Sequence, residues 1–317
     1  MNDMSLSVMC SITSMLGMCA FGLIARHLKY IDEDDVRKWN KFIMDFLIPM
    51  LIFSSLIKSF NREQALDMWP LPFMGLLMIF IGTVIGYIFR FGLKNQNDDS
   101  RKMFVHMCAF SNTVMLPVVI WVSIYEPGMA WVFIMSLGLS SAFWGYGTFL
   151  LAGSKITLRE KVKNIFSINF IVLILTLTMC LLDIPKHLPH PAIVIADGMG
   201  KAAIPLILII LGASVYSTGK RIISFDVIYV AIFRLFIIPI VLIVVICLLP
   251  LSKEVFHHCL VVALMPVALN TTSVAKRYGG DSDFAAKCVI VTMIASMVTI
   301  PVSLMTLHKM GIWIGFD

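Results

Sequence analysis

Phe110-Ser-Asn-Thr-Val-Met-Leu-Pro117 in the first half of the chain and Met265-Pro-Val-Ala-Leu-Asn-Thr-Thr272 in the second decide how the rest is read. Each sets a proline and an asparagine in the middle of a long apolar segment. Proline deletes a backbone donor and clashes with the preceding turn, so in hydrocarbon it leaves carbonyls that another group must satisfy. One such segment is a kink. Two, in corresponding segments of two halves, are the sequence signature of broken helices that meet at a binding site near the membrane midplane.

The surroundings of both segments are those of a membrane protein. Of 317 residues, 59% are hydrophobic and 14% charged, and the mean hydropathy is +0.91, whereas a soluble domain carries about 25% charged residues. A span needs about 20 mainly apolar residues, and the sequence offers ten such segments, at roughly 8–25, 41–58, 70–89, 103–125, 129–152, 165–182, 197–217, 226–249, 255–276 and 286–306. The fold class expected is therefore all-α integral membrane, with short polar connections and no extramembrane domain. Met1 to Ser7 has no Lys or Arg and is followed by no small-residue cleavage site, so the N-terminus reads as a retained first span. The seven cysteines lie in or beside apolar segments without Cys-x-x-Cys spacing and read as small buried hydrophobes, with neither a metal site nor disulfides expected.

The net charge of +6 comes from short basic clusters between apolar segments rather than from one continuous face, which argues for topology and against nucleic acid as a partner. Eighteen of the 25 Lys and Arg residues fall on the odd-numbered connections, six on the opposite side, and Arg234 lies inside a span. The odd connections are thus expected in the cytoplasm and both termini outside. Five spans per half force the halves into opposite orientations. The predicted organisation is an inverted pair of five-helix repeats, 1–152 and 165–317, joined by a basic cytoplasmic connection at 153–164. Leu47-Ile-Pro-Met-Leu-Ile52 in the second span and Ala203-Ile-Pro-Leu-Ile-Leu208 in the seventh are a second matched pair.

Chain direction turns these spacings into depth. The fourth and ninth spans run oppositely, so Asn112, before Pro117, and Asn270, after Pro266, both fall on the cytoplasmic side of their prolines, about one helical turn from the break at 1.5 Å per residue. Helices broken near the prolines would present unpaired N–H groups and a partial positive charge at the midplane, a site for an anion that needs no buried cation. Thr113 and Thr271 add neutral polar groups beside them. The expected substrate-binding residues are Asn112, Thr113, Pro117, Pro266, Asn270 and Thr271. The competing reading is two kinks whose Ser, Thr and Asn glue helices together.

Three further stretches carry a resemblance to a known family: Trp39-Asn-Lys-Phe-Ile-Met-Asp-Phe-Leu-Ile-Pro-Met-Leu-Ile-Phe-Ser-Ser55, Ala203-Ile-Pro-Leu-Ile-Leu-Ile-Ile-Leu-Gly-Ala-Ser214, and Tyr278-Gly-Gly-Asp-Ser-Asp-Phe-Ala-Ala-Lys287 with Thr299-Ile-Pro301. In these the chain resembles the auxin efflux carrier family, which includes plant auxin exporters and bacterial malate and malonate permeases. The resemblance implies ten transmembrane helices as two inverted five-helix repeats, with broken helices 4 and 9 crossing at their prolines, and transport of organic anions bound at the crossover. It also implies a homodimer. The long cytoplasmic loop of many plant carriers is absent, which favours the bacterial branch and a bacterial cytoplasmic membrane. The fourth span lacks the glycines that many relatives carry before the proline.

Asp45 and Arg234 are charges within spans, where a central charge costs about 2.5–3.5 kcal/mol on insertion scales. Two roles are open for Asp45: pairing with Arg234 as a countercharge, or carrying a coupling proton. Arg234 is either functional or snorkels to the cytoplasmic surface. Lys201 is expected to pair with Asp197 at the outer interface, and His106 to be a proton acceptor or a satisfied polar contact. Ser141-Ala-Phe-Trp-Gly-Tyr-Gly147 either packs helices closely or lines an aromatic-tolerant pocket. The expected function is alternating-access secondary transport of small organic anions, carboxylates such as malate, with lipid as the surrounding partner. A carrier of larger aromatic or steroid-like anions, sodium-coupled, is the alternative; the coupling ion, proton or sodium, is not fixed by any residue, and no cofactor is expected. An intramembrane enzyme would need a nucleophile and base or a metal cluster. The sequence offers neither, so no catalytic residue is expected.

Overall fold

The computed structural model describes residues 3–59, 67–95, 97–153, 166–216 and 222–313, and these form helices joined by short connections. The connection at 153–164 lies, but for Gly153, outside the described residues. The first helix, α1, is Asp3–His27. The second span is one continuous helix: α2 Glu33–Phe42, a wide π turn at Ile43–Leu47, and α3 Ile48–Ser59. Next come α4 Pro70–Phe89, α5 Asp98–Ala109 and α6 Met115–Ile124. A further continuous helix joins α7 Met129–Ala142, a π turn at Phe143–Gly147 and α8 Thr148–Ala152. Then follow α9 Ile168–Leu181 and α10 His190–Tyr216. Helix α11 Phe225–Ile232 runs through a π turn at Phe233–Ile237 into α12 Ile238–Leu248. The chain continues with α13 Lys253–Ala263, α14 Thr271–Tyr278 and α15 Ser282–Lys309. Among the described residues, six helices are long and apolar enough to cross a membrane. The protein is a multi-pass membrane protein.

Helix ends follow the local chemistry. The second span begins at Glu33, eight residues before the apolar run, because Asp32 and Asp35 form a capping box: Asp35 N–H donates to Asp32 Oδ1 (2.7 Å) and Asp32 N–H to Asp35 Oδ2 (3.0 Å). Two of the three π turns stand immediately before a helix that carries proline at its second position, Pro49 in α3 and Pro239 in α12. The widened turn accommodates the ring that would clash with an ordinary preceding turn. Tyr278-Gly-Gly-Asp281 is a stop and a start. Gly279 and Gly280 hold φ of 97° and 113°, a region costly for residues with a Cβ. Asp281 then caps α15 by accepting from Phe284 N–H (2.9 Å), while its other oxygen accepts from Ser100 Oγ (3.0 Å) on α5. Asp281→Ala should therefore lower stability by about 1–2 kcal/mol, and Asp281→Asn, which keeps an acceptor, by less. Thermal unfolding in detergent reads the difference, and equal losses in both variants would show that the cap does not contribute.

The helices pack in two groups that interleave the halves of the chain. Helices α1, α2–α3, α9 and α10 pack chiefly on one another, and α4 to α8 pack with α11 to α15. The first group is drawn tight by small residues: a Cβ at Gly212 of α10 would meet the Cys19 carbonyl of α1, and one at Gly22 would meet Ile209 O. Polar contacts gather alternate connections at opposite ends. At one end Lys58 pairs with Asp197 (2.6 Å) and Lys201 with Glu126 (3.0 Å); at the other, Asp226 accepts from Lys94 N–H (2.6 Å) and Asn95 N–H (3.0 Å). The expected Lys201 contact with Asp197 is present at 3.5 Å, longer than the one to Glu126.

Candidate functional site

Both Pro/Asn stretches are interruptions in the helical run, and they lie against each other. Between α5 and α6 the chain is extended or irregular from Phe110 to Val114; between α13 and α14 it is non-helical from Leu264 to Asn270. Ser111 and Val267 form an antiparallel bridge, in which Asn112 N–H donates to Pro266 O (2.8 Å) and Ala268 N–H to Phe110 O (3.2 Å). Each break thus satisfies part of the other's backbone, as non-helical chain buried among helices requires. Thr292 Oγ1 of α15 accepts from Val267 N–H at 3.4 Å.

Pro117 occupies the third position of α6, within the first turn, where an N–H would have no partner in the helix. Pro266 lies inside the second break, and its carbonyl is the acceptor of the bridge. Asn112 accordingly sits within its break rather than a turn away from it, and Asn270 stands at the entry to α14. Thr271, the first residue of α14, is fully buried, with Oγ1 unpartnered among the described residues.

Arg234 completes the crossing. It lies in the π turn before α12, is 2% exposed, and donates from Nε to Met265 O (2.9 Å) and from a terminal guanidinium nitrogen to Cys108 O (2.9 Å). These carbonyls belong to the C-terminal end of α5 and to the break after α13, where helix dipoles concentrate negative charge. The guanidinium's fork suits two separate acceptors. Arg234 therefore does not snorkel; it ties both breaks together from behind.

A cavity of about 730 Å³ opens at the crossing. Its wall takes Phe110 to Met115 from the first break and Ala268 to Asn270 from the second. Phe133, Ser136, Leu139, Ser140, Phe143 and Trp144 of α7 and its π turn add to the wall, as do Asp45 with its neighbours in the first π turn and Ser167 to Phe170 with Leu173 at the start of α9. The cavity thus lies on the seam between the two helix groups. Of the expected binding residues, the structure brings Asn112, Thr113 and Asn270 to this wall, and leaves Pro117, Pro266 and Thr271 behind it as shapers of the breaks. Asp45 is half-buried on the wall; no ion pair joins it to Arg234. Phe143 and Trp144 line the pocket, in agreement with the pocket reading of the aromatic stretch.

The wall holds polar groups that sequence reasoning missed. Asn169, Ser136 and Ser140 all face the cavity. Asn169, two residues after the Ser167 that caps α9, has the sequence signature of an ordinary helix start. His106, one turn before the first break, has neither ring nitrogen hydrogen-bonded among the described residues. It packs on Phe110 (4.7 Å between centroids) and Phe143 (5.5 Å), behind the aromatic wall. His258 accepts from Trp121 Nε1 (2.9 Å) and His257 contacts the Lys253 carbonyl (2.6 Å), so each serves packing of α13.

A family model described as a membrane transport protein matches residues 7–169 and 153–304. The chain belongs to this membrane transport protein family. The match covers nearly all of the sequence and both breaks, in keeping with the resemblance to auxin efflux carriers. A curated relative, an uncharacterized transporter of Methanothermobacter thermautotrophicus, is 24% identical over 296 residues, spanning 92% of this chain and 95% of that protein. Membership in a family of membrane transport proteins gives the seam cavity its context: paired helix breaks, an aromatic wall and polar groups converge where two helix groups meet.

Proposed function

We propose that the protein is a secondary active transporter of small carboxylates that works by alternating access. The observation that carries this reading is the pairing of two helix breaks at a cavity on the seam between the helix groups. The start of α6 and the entry to α14 both reach the cavity wall, and the first N–H groups of a helix attract anionic oxygens. The Asn112 amide Nδ2 is buried there without a partner among the described residues, a donor awaiting an acceptor. Movement of one helix group against the other would open the seam alternately to each side.

In this reading the chain crosses a bacterial cytoplasmic membrane ten times as inverted repeats of residues 1–152 and 165–317. The short helices α5 and α6, and α13 and α14, make up broken spans four and nine, and both termini face outward. Malate is the reference substrate. A cavity of about 730 Å³ falls within the range of about 300–1,000 Å³ for sites of drug-sized ligands, and its aromatic wall favours a larger aromatic anion as the second reading.

The test is uptake of labelled malate and of an aromatic carboxylate into liposomes containing the purified protein, with proton and sodium gradients imposed separately, beside the Asn112→Ala/Asn270→Ala double variant. Saturable uptake that the variant loses is the expected result, and the gradient that drives accumulation names the coupling ion. Flux that does not saturate, or that the double variant retains in full, would sink the crossing as the binding site.

A further inference from the structure

The unpartnered hydrogen-bonding groups that the two helix groups bring to the cavity differ in sense. On the crossover side are donors: the unpaired Asn112 Nδ2 and the starts of α6 and α14. The part of the wall contributed by the other helix group brings acceptors: the Asp45 carboxylate, with no ion-pair partner among the described residues, and Asn169 Oδ1, which is buried and likewise unpartnered. Asp45 is the one charged side chain among the described residues of the wall, and it is negative. A simple anion held by these donors would add a second negative charge to a cavity whose wall carries no cation among its described residues. Asp45 is half-buried, and a charge withdrawn part-way from water is stabilised by a partner of opposite sign.

We propose that the solute carries its own cation: an α-amino acid, whose carboxylate binds at the crossover and whose ammonium group binds Asp45 and Asn169. The inference rests on the transport reading above and narrows its carboxylate to a zwitterion. An ammonium group supplies three donors and no acceptor, which matches the acceptors facing it. Phe110, Phe143 and Trp144 on the wall accommodate an apolar or aromatic side chain and are compatible with an adjacent cation. The solute's two poles then engage the two helix groups separately, so occupation of the site draws the seam together: the ammonium balances Asp45, and the carboxylate is left to the crossover donors with the Arg234 guanidinium behind them.

The experiment uses the full chain in liposomes with labelled L-phenylalanine, L-leucine, malate and 3-phenylpropionate, and binding of the same solutes to the protein in detergent by calorimetry. Wild type is expected to take up phenylalanine or leucine saturably. Phenethylamine, which lacks the carboxylate, and 3-phenylpropionate, which lacks the amine, should compete at least 10-fold more weakly than phenylalanine. Asp45→Asn should weaken phenylalanine binding at least 10-fold and narrow or reverse the preference over 3-phenylpropionate, a change that general loss of fold would not produce. Uptake of malate or 3-phenylpropionate without phenylalanine or leucine would overturn the amino-acid assignment and leave the transport reading standing. Binding of the amino acids, abolished selectively in Asp45→Asn, without any flux would support the assignment and overturn the transport reading. Neither binding nor flux of the amino acids would overturn the assignment.

Discussion

Arg234→Met is expected to destabilise the protein by about 2–6 kcal/mol, about 1–3 kcal/mol for each of the two buried carbonyls left without a donor, and to abolish transport. The guanidinium holds Cys108 O and Met265 O at 2.9 Å each, and methionine would fill most of the volume while leaving both carbonyls without that donor. A hydrogen bond to a charged group contributes about 1.5–3 kcal/mol, and an unsatisfied buried carbonyl costs about 1–3 kcal/mol. Arg234→Lys should recover part of the loss, since one ammonium on a flexible stem matches two fixed carbonyls less well than a planar fork. Thermal unfolding in detergent orders the variants: Met lowest, Lys between, wild type highest. If methionine unfolds at the wild-type temperature, the arginine does not hold the crossing, and its buried charge must serve the solute instead.

Asn112→Ala should show the opposite pairing of effects: transport falls about 10- to 100-fold while the ligand-free protein loses no stability. The backbone N–H of Asn112 stays bonded to Pro266 O, whatever the side chain. Its Nδ2, buried without a partner among the described residues, is a cost to the empty fold, and alanine removes it. With a carboxylate bound, the same donor makes a charge-assisted bond of about 1.5–3 kcal/mol, which at about 1.4 kcal/mol per decade corresponds to the expected loss. Thermal unfolding with and without solute separates the terms. The ligand-induced rise should shrink in the variant, and the ligand-free midpoint should hold or rise. A fall in the ligand-free midpoint together with transport would mean that the amide braces the helices, the glue reading that the sequence left open.

The break positions and approximate helix limits were legible because they depend on nearby residues. Apolar length marks a span, and proline interrupts the donor pattern wherever it stands. The resemblance carried by Tyr278-Gly-Gly-Asp281 has a local cause as well: two positive-φ glycines and a capping aspartate end one helix and start the next. The misplacements were of a different kind. Asn112 was expected one turn from its break, yet it lies inside, because α6 begins at Met115 and admits Pro117 within its first turn. The second helix starts ahead of its apolar run because the polar α2 is carried by a capping box rather than by apolar residues. Arg234 stood out as costly, but nothing near it in sequence named its acceptors, which lie 126 and 31 residues away.

Hydrophobic length, lost backbone donors and turn glycines act within a few residues of where they are written, and the amino-acid order alone therefore settles that this is a multi-pass helical membrane protein, where its paired breaks fall, and which family it belongs to. It took the packed fold to show that the breaks bond to each other, that Arg234 ties them from behind while Asp45 lines the cavity, that Asn169 joins the wall, and that the two helix groups interleave the halves of the chain. Those facts depend on which apolar face meets which, and in a membrane a face that packs on protein and a face that meets lipid are built from the same residues.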